Sequence, residues 1–408
     1  LFFQALFAWA APLQDAVEGF FDWLASLVGE HVGNPILASL LGDGILGGVG
    51  AVLTFVPQIL LMYLLLALLD AVGYMSRAAF LMDKVMSRAG LEGRAFVAML
   101  SSFACAIPGI MATRTIPSAK DRIATMLSAP LATCSARLPV YVLLVGILVP
   151  AGSSLGPVSV RGLVLFGMYL LGALSAMLAA RVVKKITDRS GTLLPFYMEM
   201  PPYRIPTPRS VGMAMWEPTK AFLRKAGTII MGATIVIWAL TTFPLRSDAE
   251  MTAAGVDPSD EVAATAYNME HSAAAKVGKA IEPVFAPQGF DWRVNISLIG
   301  SMAAREVAVS TLGQVASASD PEDDVSVSES VQKWTYTDGP HQGEKVFTPD
   351  TTIAMLIFFA FALQCVATIG ILKRESGSWK WPAIAFGYMF VLAWVGSSLA
   401  AIITRVVM

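Results

Sequence analysis

Three cysteines lie in apolar parts of the sequence, and each offers a soft sulfur ligand. They are Cys105, Cys134 and Cys365. Sulfur ligands suit transition metals better than Na⁺ or Mg²⁺. An odd and sparse set of cysteines does not make a disulfide framework. Each cysteine is equally compatible with a packing role as a small apolar residue, so the sulfur pattern alone leaves metal binding and packing both open.

The first cysteine precedes a Pro-Gly pair in an uncharged run. Pro108 removes a backbone donor and Gly109 frees the chain, so we predict that a helix breaks at this pair. Met111 follows the break and is a secondary candidate sulfur ligand for a metal ion that Cys105 would bind. The alternative is a kinked packing helix with a buried Cys105.

The second cysteine lies in a run that contains two prolines. Cys134 and Ser135 are adjacent candidate ligands, with Ser135 secondary, and Arg137 follows inside the apolar run. A charge at that depth needs a partner, and we interpret Arg137 as a structural cation that pairs with a carboxylate or a helix C-terminus. If Cys105 and Cys134 converge, the two thiols make a divalent-metal site.

A charged pair interrupts the apolar run Val294–Ser319. Glu306 is an intramembrane carboxylate and therefore a candidate ligand, with Met302 four residues earlier on the same helical face. Arg305 is adjacent to Glu306 and can form a self-contained ion pair with it. Neighbouring helical residues point about 100° apart, however, so each favours another partner.

Two further residues complete the candidate set. Cys365 lies in a predicted spanning helix, where packing and metal binding are both open. Asp70 ends another apolar run and is either a carboxylate near the path or a helix-end residue at the cytoplasmic surface. The sequence contains no P-loop or HExxH motif, so we do not expect this chain to be an enzyme.

The composition indicates which elements carry these residues. Hydrophobic residues make up 55% of the 408 residues, charged residues 14%, and the formal net charge is −1. Soluble domains carry about 25% charged residues, so the chain is predicted to be a polytopic membrane protein without a nucleic-acid partner. Uncharged runs long enough to span a bilayer are Gly44–Leu69, Leu138–Val160, Gly162–Ala180, Ala226–Leu245, Thr351–Leu372 and Pro382–Thr404.

The charges of the connecting segments predict a topology. Basic segments belong in the cytoplasm, which places both flanks of Ala95–Thr113 inside and both flanks of Val294–Ser319 outside. Each of these runs would then be a re-entrant hairpin, followed by a long span that begins near Ile123 or Thr351. Two such units of opposite orientation form the inverted repeat of secondary transporters. The alternative is that Val294–Ser319 crosses the membrane fully.

Long motifs resemble the ferrous iron transport protein B (FeoB) family. GYMSRAAFLMDKVMSRAGLEGRAF and SSFACAIPGIMATRTIPSAKDRIATMLSAPLATCSARLPVYVLL are similar to its first Gate region. FYMEMPPYRIPTP resembles the link between its Gate halves. GSMAAREVAVSTLG and FALQCVATIGILKRESGSWKWP resemble its second Gate region. The resemblance covers essentially the whole chain in order.

The resemblance implies an all-α polytopic membrane protein with two inverted Gate repeats, each containing a broken or re-entrant hairpin. The expected segments are the end of a first transmembrane helix with an external interfacial helix (1–45), a first Gate repeat (46–183), a cytoplasmic link (184–225), a transmembrane helix with an external loop (226–293), and a second Gate repeat (294–408) with an acidic loop (320–350).

The implied function is Fe²⁺ import across the bacterial inner membrane. The metal path of the family maps onto Cys105, Cys134, Glu306 and Cys365. A position that is usually Glu is Asp70 here, one methylene shorter. Members carry an N-terminal GTPase domain that uses GTP and Mg²⁺, which we expect to be missing here, and they work with small cytoplasmic accessory proteins. The alternatives are a Gate-type transporter of another divalent metal or a nucleoside-like solute, and a non-transporting membrane scaffold.

Overall fold

The structure is a computed structural model that describes residues 2–407, apart from residues 55, 89, 151, 156–157, 188–206, 245–247, 256–260, 303–304, 306, 317–327, 329–330 and 337–341. The predicted link at 184–225 and the acidic loop at 320–350 therefore lie partly outside the described residues, and Glu306 lies wholly outside them. In the described part, helices dominate, and one pair of two-residue antiparallel strands joins β1 (Ser154–Leu155) to β2 (Val158–Ser159).

The helices follow one another with short connections. In chain order they are α1 Phe2–His31, α2 Pro35–Ser39, α3 Gly47–Thr54, α4 Val56–Ala71, α5 Tyr74–Arg88, α6 Arg94–Ala104, α7 Ala106–Ala112, α8 Ala119–Ser128, α9 Leu138–Leu148, α10 Val160–Thr187, α11 Pro208–Phe222, α12 Thr228–Thr242, α13 Asp248–Ala253, α14 Glu261–Glu270, α15 Ala273–Phe285, α16 Trp292–Ser301, α17 Val307–Ala316, α18 Pro349–Phe361, α19 Val366–Ser376 and α20 Lys380–Val407. Two π-helical turns, at Leu40–Leu46 and Leu223–Gly227, join α2 to α3 and α11 to α12.

Five helical stretches of the described residues are long and apolar enough to cross a membrane. They are Ile36–Ala71, Ala119–Leu148, Val160–Thr187, Pro349–Ser376 and Lys380–Val407. The prediction of an all-α polytopic membrane protein is thereby confirmed. Backbone polar groups have no water partners in lipid, and helices satisfy these groups internally, which explains the architecture.

Two predicted spans differ from the structure. The run Leu138–Val160 does not form one helix, because α9 ends at Leu148 and Pro150 and Gly152 (φ +87°) turn the chain into the β1–β2 strands. The crossing stretch instead begins upstream at Ala119. The run Ala226–Leu245 forms the fifteen-residue helix α12, which is not among the five.

The N-terminal region is one continuous helix. The sequence predicts the end of a spanning helix and then a separate interfacial helix, whereas α1 runs unbroken past Asp15 and Glu18. Its Trp9, Phe20 and Trp23 side chains are exposed, as expected for a helix that faces lipid or an interface.

The chain divides into two compact units. Unit 1 comprises Leu1–Thr125 and Ala180–Ala239, and unit 2 comprises Met126–Ala179 and Leu240–Met408. In unit 1, helix α1 packs on α3 and α4, and α5 packs on α6. In unit 2, α18 packs along α20 and beside α9 around a core that includes Tyr141, Phe290 and Phe359. The five predicted chain segments remain a prediction.

Each of the two interrupted apolar runs forms a hairpin of two short helices, one in each unit. In unit 1, α6 and α7 fold back on each other so closely that a Cβ on Gly109 would lie 2.7 Å from the Ala98 carbonyl oxygen. In unit 2, α16 and α17 fold back in the same way, and Ser297 Oγ donates to the Ala308 carbonyl at 2.9 Å. The opposite membrane orientation of the two hairpins remains a prediction.

The first hairpin breaks at a different residue from the one predicted. Helix α6 ends and α7 begins at Cys105, which is extended (φ −156°, ψ 137°), whereas Pro108 and Gly109 lie within α7. Pro108 is in the first turn of α7, where a missing N–H leaves no hydrogen bond unmade. Gly109 has no side chain, and this allows α6 and α7 to approach each other closely.

Candidate metal site

Three interruptions of helices meet within unit 2. The first lies between Ser128 and Leu138, the second between α18 and α19, and the third at the tip of the α16–α17 hairpin. The Val366 N–H donates to the Met302 carbonyl at 3.1 Å, which joins the second interruption to the third. Helix ends at membrane depth expose carbonyl and N–H groups, and transporters use such ends to hold their substrates.

Two cysteines lie at these interruptions. Cys134 (φ −87°, ψ 164°) comes directly before a 3₁₀ turn that leads into α9, and Cys365 (φ −160°, ψ 104°) comes directly before α19. The Cys365 thiol interacts electrostatically with Cys134 and Arg305. The structure therefore brings Cys134 and Cys365 to one region of unit 2.

The position of Cys365 differs from the sequence-based expectation. The sequence predicts that Cys365 lies inside a spanning helix, but α18 ends at Phe361 and α19 begins at Val366. The intervening residues include neither proline nor glycine. No local signal in the sequence could therefore have revealed this interruption.

Two buried arginines hold the interruptions together. Arg305 donates to the Ala362 carbonyl at 3.2 Å and to Cys134 Sγ at 3.5 Å. Arg137 donates to the carbonyls of Pro130, Leu131, Ala132 and Ala362 at 3.1 to 3.5 Å. The prediction that Arg137 pairs with a helix C-terminus is confirmed, since these carbonyls follow the ends of α8 and α18.

A buried amide lies beside Cys365. Gln364 is 4% exposed, and neither atom of its side-chain amide has a hydrogen-bond partner among the described residues. A buried amide without partners is costly, and its oxygen is a suitable ligand for a cation. Sequence reasoning missed Gln364 because a single Gln in an apolar run has no distinguishing pattern.

The other predicted ligands of unit 2 are less fully described. Met302 is half-buried at the hairpin tip, and Ser135 is half-buried at the start of its 3₁₀ turn. Glu306 lies outside the described residues. Within the described part of the chain, no group of three or more His, Cys, Asp or Glu side chains is arranged to hold a metal ion. The described donors at this region are therefore the two cysteine sulfurs and the Gln364 amide oxygen.

Unit 1 holds the remaining predicted residues. Cys105 lies at the tip of the α6–α7 hairpin, packed with Leu61 and Tyr63 of α4. Met111 is half-buried on α7, and Asp70 is exposed near the end of α4. The exposure of Asp70 fits a helix-end residue as well as it fits a ligand.

Two protein-family models match parts of this chain. A model described as "Gate: Nucleoside recognition" matches residues 52–148 and 223–379, which together are more than half of the chain. A second model, "Ferrous iron transport protein B C terminus", matches residues 165–217, between the two Gate segments. This chain belongs to the Gate family.

Curated FeoB proteins are similar along almost the whole chain. The Fe(2+) transporter FeoB of Leptospira interrogans (serovar copenhageni) is 40% identical over 97% of this chain, which covers 55% of that relative. The "Fe(2+) transport protein A/Fe(2+) transporter FeoB fusion protein" of Porphyromonas gingivalis is 40% identical over 98% of the chain and 48% of the relative. FeoB of Helicobacter pylori (strain 26695) is 34% identical over the full chain and 63% of the relative.

This chain therefore spans about half to two thirds of the length of its curated FeoB relatives. No solved structure matches it. Cys105 and Cys134 fall in the first matched Gate segment, and Arg305 and Cys365 fall in the second.

Proposed function

We propose that this chain forms the transmembrane pathway of a ferrous iron importer in the bacterial inner membrane. The observation that carries the proposal is the meeting of three helix interruptions around Cys134 and Cys365 within unit 2. The FeoB relatives are named as Fe(2+) transporters, and we therefore propose Fe²⁺ as the transported ion. Borderline Fe²⁺ accepts mixed sulfur and oxygen ligands of this kind.

The ion binds in passing rather than permanently. Cys134 and Cys365 supply sulfur and Gln364 supplies an amide oxygen. We assign Cys105, Glu306 and Asp70 as further ligands along the path, with Met111, Met302 and Ser135 as secondary contacts. Transport requires binding that is strong enough to replace water around the ion and weak enough to release it, and a small ligand set meets both requirements.

In our proposal, the energy for Fe²⁺ transport comes from a region outside this chain. A cytoplasmic GTPase region that uses GTP and Mg²⁺ acts on the basic segment 181–225, and this chain itself is not an enzyme. Lys184, near the end of α10, forms a buried ion pair with Asp121 in the first turn of α8. Burial and the Asp121 carboxylate raise the pKa of neighbouring Glu92. The Lys184–Asp121 ion pair thus connects the start of the basic segment 181–225 to α8.

A small accessory protein is a further proposed partner. The printed name of the Porphyromonas gingivalis relative joins Fe(2+) transport protein A to FeoB in one chain. Fusion places two proteins at high effective concentration, so we propose that the corresponding separate protein acts on the cytoplasmic side here.

Metal uptake tests the proposal. Fe²⁺ kept reduced is offered to liposomes that hold the full-length protein with GTP, and Cys134→Ser is compared with the native protein. We expect uptake to fall about tenfold or more, since losing even a group that only supports a metal ligand typically lowers metal affinity or activity by about 10- to 100-fold. Met389→Leu removes a buried sulfur of α20 in the same unit and should retain uptake. Unchanged Fe²⁺ uptake in Cys134→Ser would overturn the metal path.

A second candidate cargo rests on the description of the Gate model, which names nucleoside recognition. A nucleoside needs no thiol, so its transport would survive Cys134→Ser. Uptake of uridine is measured beside uptake of Fe²⁺, with Mn²⁺ and Zn²⁺ as competitors. These measurements distinguish a transporter of nucleosides, a transporter of another divalent metal and a transporter of iron. Absence of any flux in folded protein would favour a scaffold.

A further inference from the structure

The contact between Arg305 and Cys134 places a cation of the protein on a proposed metal ligand. Arg305 Nη1 lies 3.5 Å from Cys134 Sγ, and its Nη2 lies 3.2 Å from the Ala362 carbonyl oxygen. Arg305 as a whole residue is 4% exposed. It therefore occupies space next to the sulfur from which water is largely excluded.

The charge of Arg305 is not balanced by a carboxylate in the described part of the chain. Its described contacts are a carbonyl and a sulfur, and its Nε has no hydrogen-bond partner among the residues that the structure describes. Glu306 is adjacent in sequence but lies outside the described residues, and adjacent helical side chains point about 100° apart. A guanidinium normally satisfies its donors with carboxylates or carbonyls, so a sulfur contact is a weak substitute.

A second cation lies beside it. Arg137 also donates to the Ala362 carbonyl, at 3.5 Å, so the two guanidinium groups share one acceptor. Arg137 has three further carbonyl acceptors, whereas Arg305 has none in the described residues. Like charges repel strongly in a low-dielectric interior, so Arg305 is the one that is held less firmly.

We propose that Arg305 is a tethered cation that covers Cys134 when no metal is bound and must withdraw before a metal ion reaches the sulfur. The inference rests on the proposed function and deepens it. An incoming divalent ion adds repulsion and takes the sulfur lone pair to which Arg305 donates. Only an ion with a strong preference for sulfur displaces the guanidinium, so Na⁺, K⁺ and Mg²⁺ are excluded. The returning guanidinium then helps to release the ion.

The positions of Cys365 and Gln364 support this reading. Cys365 interacts electrostatically with both Arg305 and Cys134, and the buried Gln364 amide has no hydrogen-bond partner within the described ranges. Withdrawal of Arg305 would leave two sulfurs and an amide oxygen around the vacated position. Arg305 is thus a positioning and selecting residue rather than a ligand.

Binding of Co²⁺ tests the proposal, because cobalt bonded to sulfur absorbs in the near ultraviolet and reports on that bond directly. The chain is titrated in lipid nanodiscs as the native protein and as Arg305→Gln. If the guanidinium covers the sulfur about 90% of the time, its removal should tighten Co²⁺ binding about tenfold. The cobalt–sulfur band should remain in Arg305→Gln and should weaken in Cys134→Ser, which leaves Cys365 as the remaining sulfur ligand.

Control variants distinguish two roles of Arg305: competition with the metal ion for Cys134, and stabilisation of the fold alone. Arg161→Gln removes another arginine of unit 2, one that donates to the carbonyls of Val149 and Gly146, and should leave the Co²⁺ affinity unchanged. In the Cys134→Ser background, Arg305→Gln should no longer tighten binding. An equal or weaker Co²⁺ affinity in folded Arg305→Gln would overturn the tethered-cation proposal.

Two further outcomes keep the test decisive. If Arg305→Gln does not fold, Arg305→Lys replaces it, and we expect a smaller tightening because a single ammonium cannot contact both acceptors. An affinity no tighter than native in that variant would overturn the proposal. If the native protein shows no cobalt–sulfur band, the proposed function fails as well. A native band that Cys134→Ser weakens, with no change of Co²⁺ affinity in Arg305→Gln, refutes the tethered cation alone.

Discussion

Arg137 shows how a single buried charge supports a broken helix. Its side chain is fully buried and donates to four carbonyls, three after α8 and one at the end of α18. The last carbonyls of a helix lack N–H partners and carry a partial negative charge. The guanidinium satisfies those carbonyls and is neutralised by them in turn, so the two interruptions depend on one residue.

Replacing Arg137 should therefore destabilise unit 2. In Arg137→Met the side-chain volume is largely kept, but the carbonyls of Pro130, Leu131 and Ala132 lose this donor, while the Ala362 carbonyl keeps its bond from Arg305. Each unsatisfied buried group costs about 1–3 kcal/mol, so we expect a clear fall in the midpoint of thermal unfolding in detergent. Arg161→Met removes a half-buried arginine with two carbonyl contacts and should have a smaller effect. Equal midpoints for the two variants would contradict this account.

The helical hairpins are the elements that position the candidate ligands. In each one, small residues let two short helices approach closely: Gly109 against Ala98 and Ser102 in unit 1, and Gly300 against Thr311 in unit 2. Small residues at such contacts are typical of helices that pack in membranes. The tips of the hairpins carry Cys105 and Arg305.

Hydropathy predicted four of the six spans and the two interrupted runs, but it did not locate the interruptions. The Pro108-Gly109 pair indicated a break, yet proline is tolerated in the first turn of a helix, and the chain breaks at Cys105. The interruption at Cys365 has no breaker in the sequence. It depends on tertiary contacts from Arg137 and Arg305 to Ala362, which no local pattern encodes.

A methyl group at Gly109 should disrupt the first hairpin. The Cβ of Gly109→Ala would meet Ser102 Oγ and lie 2.7 Å from the Ala98 carbonyl oxygen, which belongs to the backbone and cannot rotate away. Overpacking of this kind costs about 1–3 kcal/mol. We expect a lower thermal midpoint and reduced Fe²⁺ uptake. Gly167→Ala on α10, where nothing lies within 4 Å, should be neutral or slightly stabilising. Similar midpoints for both variants would contradict the close packing.

At the scale of the whole molecule, the chain is a multi-pass membrane protein with candidate ligands in two compact units. Cys134, Arg305 and Cys365 share unit 2, although they lie far apart in sequence, and Cys105 belongs to unit 1. The sequence proposed Cys105 and Cys134 as the convergent thiols, whereas the described contacts join Cys134 to Cys365 through Arg305. Pairing across such sequence distances is a property of the fold and not of any motif.

This arrangement predicts how cysteine substitutions combine in transport. If Cys134 and Cys365 bind the same ion, either Cys→Ser change removes most of the Fe²⁺ uptake, and the double variant loses little more, since residues that act as a unit are strongly non-additive. Two thiols that act at independent steps would instead give losses that multiply. Uptake of Fe²⁺ by the two single variants and the double variant, each normalised to protein in the membrane, distinguishes these cases. Multiplying losses would show that the two sulfurs of unit 2 do not share an ion.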